Sequence, residues 1–198
     1  MGFYDSAADF IKVFEGFTPN ATWDVNAYRL GHGSDTVTLP NGSFRKVVKG
    51  DTTTKELAAK DLARRIKDNF EPKVRKQIGE PYYSNLPDPA KISLISLAYN
   101  YGSITKPAII DAARSGDVEK LANAIIESTK NDNKGKSYYE ALRKRREKEA
   151  NYAKSILKKT VEVALKGVKL SKENPIPTAL ITIAIIVGGY ILIKTIKK

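Results

Sequence analysis

Apolar and polar positions alternate along this chain with two periods. Ala7, Ala8, Phe10, Ile11, Phe14 and Phe17 recur at helical spacing, with Asp5 or Ser6 as N-cap and Pro19-Asn20 as the stop. The residues after Phe17 read as a polar loop carrying Asp24. The period then shortens to two. Tyr28-Arg29-Leu30 reads as a short strand, and residues 36–39 and 44–48 flank Pro40-Asn41-Gly42-Ser43, with the Asn-Gly pair that favours a tight hairpin. A two- or three-stranded antiparallel sheet is expected here.

Helical spacing returns after Asp51-Thr52-Thr53. Thr53 and Glu56 have the spacing of a capping box, and Leu57, Ala58, Leu62 and Ile66 form a stripe that leaves Arg64, Arg65 and Lys67 outside it. Pro72 interrupts this helix beyond Phe70, and Val74 and Ile78 continue the stripe; no side chain in it needs a chemical role. Residues 79–89 form a proline-punctuated connection. Asp88 caps a helix through Ile92, Leu94, Ile95, Leu97, Ala98 and Tyr99 that is apolar nearly all round, as buried helices are. Pro107 opens the next helix, which stops at Arg114-Ser115-Gly116-Asp117. Asp117 caps another, through Val118, Leu121, Ile125 and Ile126. A polar loop over 131–136 leads to a long basic helix from Ser137.

Beyond residue 150 the pattern changes again. Ile156, Leu157, Val161, Val163, Leu165 and Val168 interleave with lysines, a basic amphipathic stalk over 151–173. Residues 174–193 then run without a charge for 20 positions, with Lys194, Lys197 and Lys198 beyond. At a rise of about 1.5 Å per residue such a run reaches about 30 Å, the thickness of a bilayer core. A single transmembrane helix over 174–194 is therefore expected, followed by a basic tail over 195–198. The fold class that emerges is α+β, mostly helical with a small antiparallel β-sheet over residues 1–150, plus the C-terminal membrane helix.

The composition narrows the chemistry. Among 198 residues there is no cysteine and a single His, which argues against disulfides, thiol chemistry and a metal site, and no cofactor is implied. The net charge is +12, and nine Lys and two Glu from residue 151 onward supply +7 of it. A basic body suits an anionic polymer such as the bacterial cell wall, but also nucleic acid or anionic lipid, so charge alone does not choose. Residues 1–9 are polar and show no signal-peptide pattern.

Glu15 stands between Phe14 and Phe17 at the end of an apolar helical face, and Asp24 comes nine residues later among Asn and Thr. One carboxyl group in an apolar setting and one in a polar setting is the pairing that glycoside hydrolysis requires. The turn Gly31-His32-Gly33 comes next. Its glycines allow close backbone approach to a sugar, although a lone Gly-x-Gly is most often only a turn and its His a packing residue.

Helix-Glu15-Gly16, Asp24 and the turn Arg29-Leu30-Gly31-His32-Gly33-Ser34 together resemble the active-site segment of phage-type lysozymes, the endolysins of glycoside hydrolase family 24. Leu94-x-Ser96-Leu97-x-Tyr99-Asn100-x-Gly102 is similar to the family's central helix. Leu142-x-x-Arg145-Arg146-x-x-Glu149, after Arg114-Ser115-Gly116-Asp117, is similar to its C-terminal part. The chain departs where Arg29 stands in place of the family's catalytic Thr and Ser34 in place of its His, and its loop is about one residue shorter. The resemblance implies a lysozyme-like fold over roughly residues 5–150. It also implies hydrolysis of the β-1,4 bond between N-acetylmuramic acid and N-acetylglucosamine in peptidoglycan glycan strands. Glu15 and Asp24 would be catalytic; Tyr28, Arg29, Gly31, His32 and Asn100 would bind substrate; and Arg143 or Arg146 would lie beside Glu15. With the anchor, the expected partners are peptidoglycan, a lipid bilayer and other virion membrane or capsid proteins, with no specific nucleic acid. The expected location is the virion membrane or, alternatively, the host inner membrane. Two other readings stay open: a non-catalytic, wall-binding virion protein of lysozyme fold, and a lytic transglycosylase, which needs chiefly the acid.

Overall fold

The computed structural model describes residues 2–129, 135, 137–157, 182–187 and 190–195. They group into two compact units, Met1–Gln77 with Leu94–Thr105, and Ile78–Ser93 with Lys106–Lys198.

The first unit opens with helix α1 (Phe3–Glu15), which buries Ala7, Ala8 and Ile11. Its N-cap is Gly2 rather than Asp5 or Ser6, and Asp5 serves from the third position by accepting the Gly2 amide at 3.2 Å. The helix stops at Gly16, whose φ of +66° a side chain would resist, and so ends before Pro19-Asn20. The expected polar loop is instead strand β1 (Thr18–Asp24), antiparallel to β2 (Ala27–Gly31) with Thr22 opposite Arg29, Trp23 opposite Tyr28 and Asp24 opposite Ala27. Nearly all of β1 is exposed, so no apolar alternation marks it, and Pro19 falls where the register is irregular. The other edge of β1 is held by the Thr53 amide on the Pro19 carbonyl (2.9 Å) and the Ala21 amide on Asp51 (2.8 Å).

The Asn41-Gly42 hairpin forms as expected, between β3 (Thr36–Thr38) and β4 (Phe44–Lys46). The four strands make two separate two-stranded sheets. Leu30, Val37 and Val47 form a small core beneath them. Helix α2 (Lys55–Arg65) packs on α1, β2 and β3; its cap is Thr54, one residue later than expected, which accepts the Leu57 amide. A π-helical turn, Ile66–Phe70, leads into α3 (Glu71–Ile78) without a break. The wider turn lies immediately before Pro72, whose missing N–H and bulky ring would disrupt a regular α-helix.

In the second unit the proline-rich connection contains a short helix, α4 (Glu80–Asn85), after Gly79 at φ +95°. Helix α5 (Asp88–Tyr101) begins in this unit and continues from Leu94 in the first; it is buried from Ile92 to Ala98, as its all-round apolarity predicts. Pro107 opens α6 (Pro107–Arg114), and Asp117 caps α7 (Val118–Glu127) by accepting the Lys120 amide at 3.0 Å. Helix α8 (Tyr139–Ala153) packs on α7, and its Glu149 carbonyl accepts the Ser93 hydroxyl of α5 at 2.8 Å. The polar loop over 131–136 and the stalk beyond residue 157 lie outside the described residues, Gly135 excepted.

The membrane helix is a correction. Thr182–Val187 (β5) and Tyr190–Thr195 (β6) are strands, paired antiparallel from Thr182 opposite Thr195 to Val187 opposite Tyr190. No helix among the described residues is long and apolar enough to cross a membrane. The physical reason lies in the composition of the run. Thr182, Ile183, Ile185, Ile186, Val187, Ile191 and Ile193 are β-branched, and Gly188-Gly189 between two such segments is a hairpin signal that hydropathy and length overlook. Placement in a virion or host inner membrane rested on that helix and falls with it. Residues 174–181 lie outside the described residues.

Candidate active site

Glu15 is the last residue of α1 and half-buried. The segment just beyond it is held firmly. His32 is only 7% exposed, and its Nδ1–H donates to the Gly16 carbonyl, which fixes the proton on that nitrogen whenever the ring is neutral. The ring also packs against Phe17, centroids 5.9 Å apart. The backbone of His32 is pinned in turn, for the Tyr99 hydroxyl donates to its carbonyl at 2.6 Å and Arg65 donates to the Tyr99 oxygen at 3.1 Å. Gly31 is seated so tightly on α2 that a Cβ there would meet Ala58 Cβ at 2.9 Å, and its φ is +63°. The structure therefore turns His32 toward the helix end that carries Glu15.

Burial pushes the Tyr99 phenol up to about 12, the nearby Arg65 charge opposes the shift, and the Glu15 charge adds to it. An unfolded phenol titrates near 10. Because the folded value is raised, the stabilisation from a neutral, buried Tyr99 is complete below pH about 10 and is lost as pH rises towards about 12. Tyr99→Phe is expected to cost about 1 kcal/mol at neutral pH through the lost hydrogen bond, and to flatten this alkaline loss. Urea midpoints of both proteins across that range check the prediction.

Asp24 lies at the tip of the β1–β2 hairpin, with a half-exposed side chain, and Arg29 Nε meets its Oδ2 at 2.8 Å. The two residues are diagonal neighbours on one face of the ribbon; Trp23 and Tyr28 stand directly opposite each other on the other face, rings edge to face at 5.2 Å. Val25 comes directly after Asp24 at φ +52°, and the Asn26 amide donates to the Asp24 carbonyl at 2.5 Å. A β-branched residue in that region stores about 1–3 kcal/mol of strain, so the turn beside Asp24 is held against its own preference.

Asp61 of α2, which sequence reasoning passed over, is 2% exposed. It accepts from the hydroxyls of Ser34 (2.6 Å), Thr36 (3.1 Å) and Thr38 (2.9 Å) and from Arg64 (2.9 Å). Arg64 stacks on Phe44 with its guanidinium carbon 3.7 Å from the ring centre. Ser34 thus anchors the turn and β3 to α2. One sequence signal was available: Asp61 is three residues after Ala58 and one before Leu62, which places a carboxylate inside the apolar stripe.

Residues 12–149 match the family described as phage lysozyme. The chain belongs to the phage lysozyme family. No curated protein matches it. The match spans the segment carrying Glu15, Asp24 and the Gly31-His32-Gly33 turn and implies a glycosidase; the mostly helical fold with small antiparallel sheets fits an α+β lysozyme-like fold. Asn100 is the exposed penultimate residue of α5, in the same unit as Glu15 and Asp24. Of the two arginines suggested by the motif, Arg143 is at the surface with Glu140 and Glu147 of its own helix. Arg146 is fully buried, paired with Glu149. Among the described residues no cluster of three or more His, Asp or Glu side chains is placed to hold a metal ion.

Proposed function

We propose that this phage lysozyme is a muramidase that cleaves the β-1,4 bond between N-acetylmuramic acid and N-acetylglucosamine, at infection or at lysis. The observation that carries this reading is the pair of settings. Glu15 closes α1 beside the clamped Gly16–Phe17 segment, whereas Asp24 stands on an exposed ribbon with a cation at 2.8 Å. Glu15 gives its proton to the glycosidic oxygen as the C1–O bond breaks. Asp24 stabilises the positive charge that develops at C1. Water then supplies the new hydroxyl, and its proton returns to Glu15. Tyr28, Arg29, the Gly31 backbone and Asn100 are the groups we assign to the sugar.

A lytic transglycosylase is the second reading, favoured by one feature. Arg29 occupies Asp24 Oδ2, one of the two oxygens that could orient an attacking water. In that reaction the sugar's own 6-hydroxyl closes on C1 and gives its proton back to Glu15. Mass spectrometry of products from purified peptidoglycan decides between the two. A reducing end is expected; an anhydro end assigns the transglycosylase, and no product from a well-folded protein on several wall types supports a non-catalytic, wall-binding protein.

A further inference from the structure

We propose that His32 is a positioning residue for Glu15: it sets the direction of the proton donor by holding the Gly16 carbonyl, and does not bind the sugar. The inference rests on the muramidase reading above. A helix ends with carbonyls that have no partner within the helix, and the chain beyond is fixed only by what accepts or donates there. Here the residue after Glu15 is a glycine at φ +66°, the residue type with the least intrinsic preference for one backbone path. Nothing in Gly16 itself would hold Glu15 in one direction. His32 constrains the segment that follows Glu15. Its ring nitrogen takes the Gly16 carbonyl and its ring face meets Phe17, so the segment just after the acid is held at two consecutive residues.

The constraint carries force only if His32 is itself immobile, and the structure fixes it from three sides. Gly31 leaves no room beside Ala58. Tyr99 holds the His32 carbonyl and is held by Arg65, whose other nitrogen lies 3.5 Å from Asp35. Ser34, two residues on, is tied to the buried Asp61 and exchanges backbone hydrogen bonds with Leu30 at 2.9 and 3.0 Å. The turn is thus a rigid block carried on α2, and the imidazole is its contact with the end of α1. At 7% exposure the ring offers little surface to a sugar. Both the neutral δ-protonated ring and the imidazolium donate from Nδ1, so this link survives protonation.

The test compares wild type, Glu15→Gln, His32→Ala and His32→Asn on soluble glycan fragments at saturating and limiting concentration, with circular dichroism at the assay temperature. The Asn side-chain amide can donate to the same carbonyl. We expect His32→Ala to keep its fold and KM and to lose on the order of 10-fold or more in kcat, as misdirected catalytic groups do, and His32→Asn to recover most of the loss. A raised KM at unchanged kcat would make His32 a sugar ligand and overturn the inference. So would full kcat in a folded His32→Ala, or equal loss in the Asn variant. If His32→Ala does not fold, the Asn variant decides alone: a folded Asn variant with kcat near wild type supports the clamp, and one with kcat as low as Glu15→Gln overturns it. An inactive wild type, or an active Glu15→Gln, sinks the muramidase reading with it. An active wild type and inactive Glu15→Gln leave any failure at His32 to this inference alone.

Discussion

Glu15→Gln is expected to clear purified peptidoglycan roughly 10²–10⁴-fold more slowly than wild type, the range by which a positioned general acid accelerates such reactions. That factor corresponds to about 3–5 kcal/mol of barrier. The substitution keeps the shape of the side chain and its ability to hydrogen-bond, and removes the transferable proton and the carboxylate that takes it back, so the fold should be untouched. α1 buries Ala7, Ala8 and Ile11 and not Glu15, which supports an unchanged urea midpoint. Asp24→Asn is the informative companion. Asp24 gives up no proton in the proposed reaction, so its removal should cost less than the removal of Glu15. Equal clearing by Glu15→Gln and wild type would put the acid elsewhere in the chain. Turbidity of a peptidoglycan suspension, with circular dichroism on the same samples, is sufficient to read the result.

The parts of this molecule that were legible in its sequence are those set by local chemistry. Asn41-Gly42 makes its hairpin, Pro107 opens α6, Asp117 caps α7, and the all-apolar stretch after Asp88 is a buried helix, because each depends on residues within a few positions of one another. The end of α1 was read too late: Pro19-Asn20 stood as the stop, whereas Gly16 at φ +66° ends the helix three residues earlier. Strand β1 was not legible: Thr-Pro-Asn-Ala-Thr-Trp-Asp shows no apolar alternation, its Thr and Trp are offset by Pro, Asn and Asp, and pairing with Ala27–Gly31 and with Asp51–Thr53 makes it a strand. The tail failed for a different reason. Uncharged length is shared by a membrane helix and an apolar hairpin, and β-branching with Gly188-Gly189 had to be weighed against it.

At the candidate site, sequence supplied the carboxylates but not what holds them. His32 meets Gly16 from 16 positions away, and Ser34, Thr36 and Thr38 meet Asp61 from 27, 25 and 23. No local pattern encodes partners at such separations. Arg29 at least stood out as a departure from the family pattern. Its contact with Asp24 explains how a cation is accommodated where the family has a hydroxyl: the ribbon register makes the two diagonal neighbours.

Glu149→Ala is expected to be the most destabilising single substitution in the second unit. Glu149 and Arg146 are fully buried and Arg145 nearly so; Arg145 Nε reaches one Glu149 oxygen at 3.1 Å and Arg146 takes the other. Removing one partner of a buried charge group takes away the carboxylate that faces both guanidiniums, which costs about 3–5 kcal/mol. A domain has only about 5–15 kcal/mol in total, so the variant should lose a large share of its margin. The Ser93 hydroxyl donates to the Glu149 main-chain carbonyl, so that link between α5 and α8 persists in the variant and the loss is chargeable to the carboxylate. Arg143 provides the contrast on the same helix. It pairs with Glu140 and Glu147 at the surface, where solvent screens the charges, and Arg143→Ala should leave the midpoint close to wild type. Urea melts of the three proteins at neutral pH compare these costs directly. A midpoint for Glu149→Ala as high as that of Arg143→Ala would show that the buried guanidiniums do not depend on Glu149, and that the core of the second unit rests on its apolar packing alone.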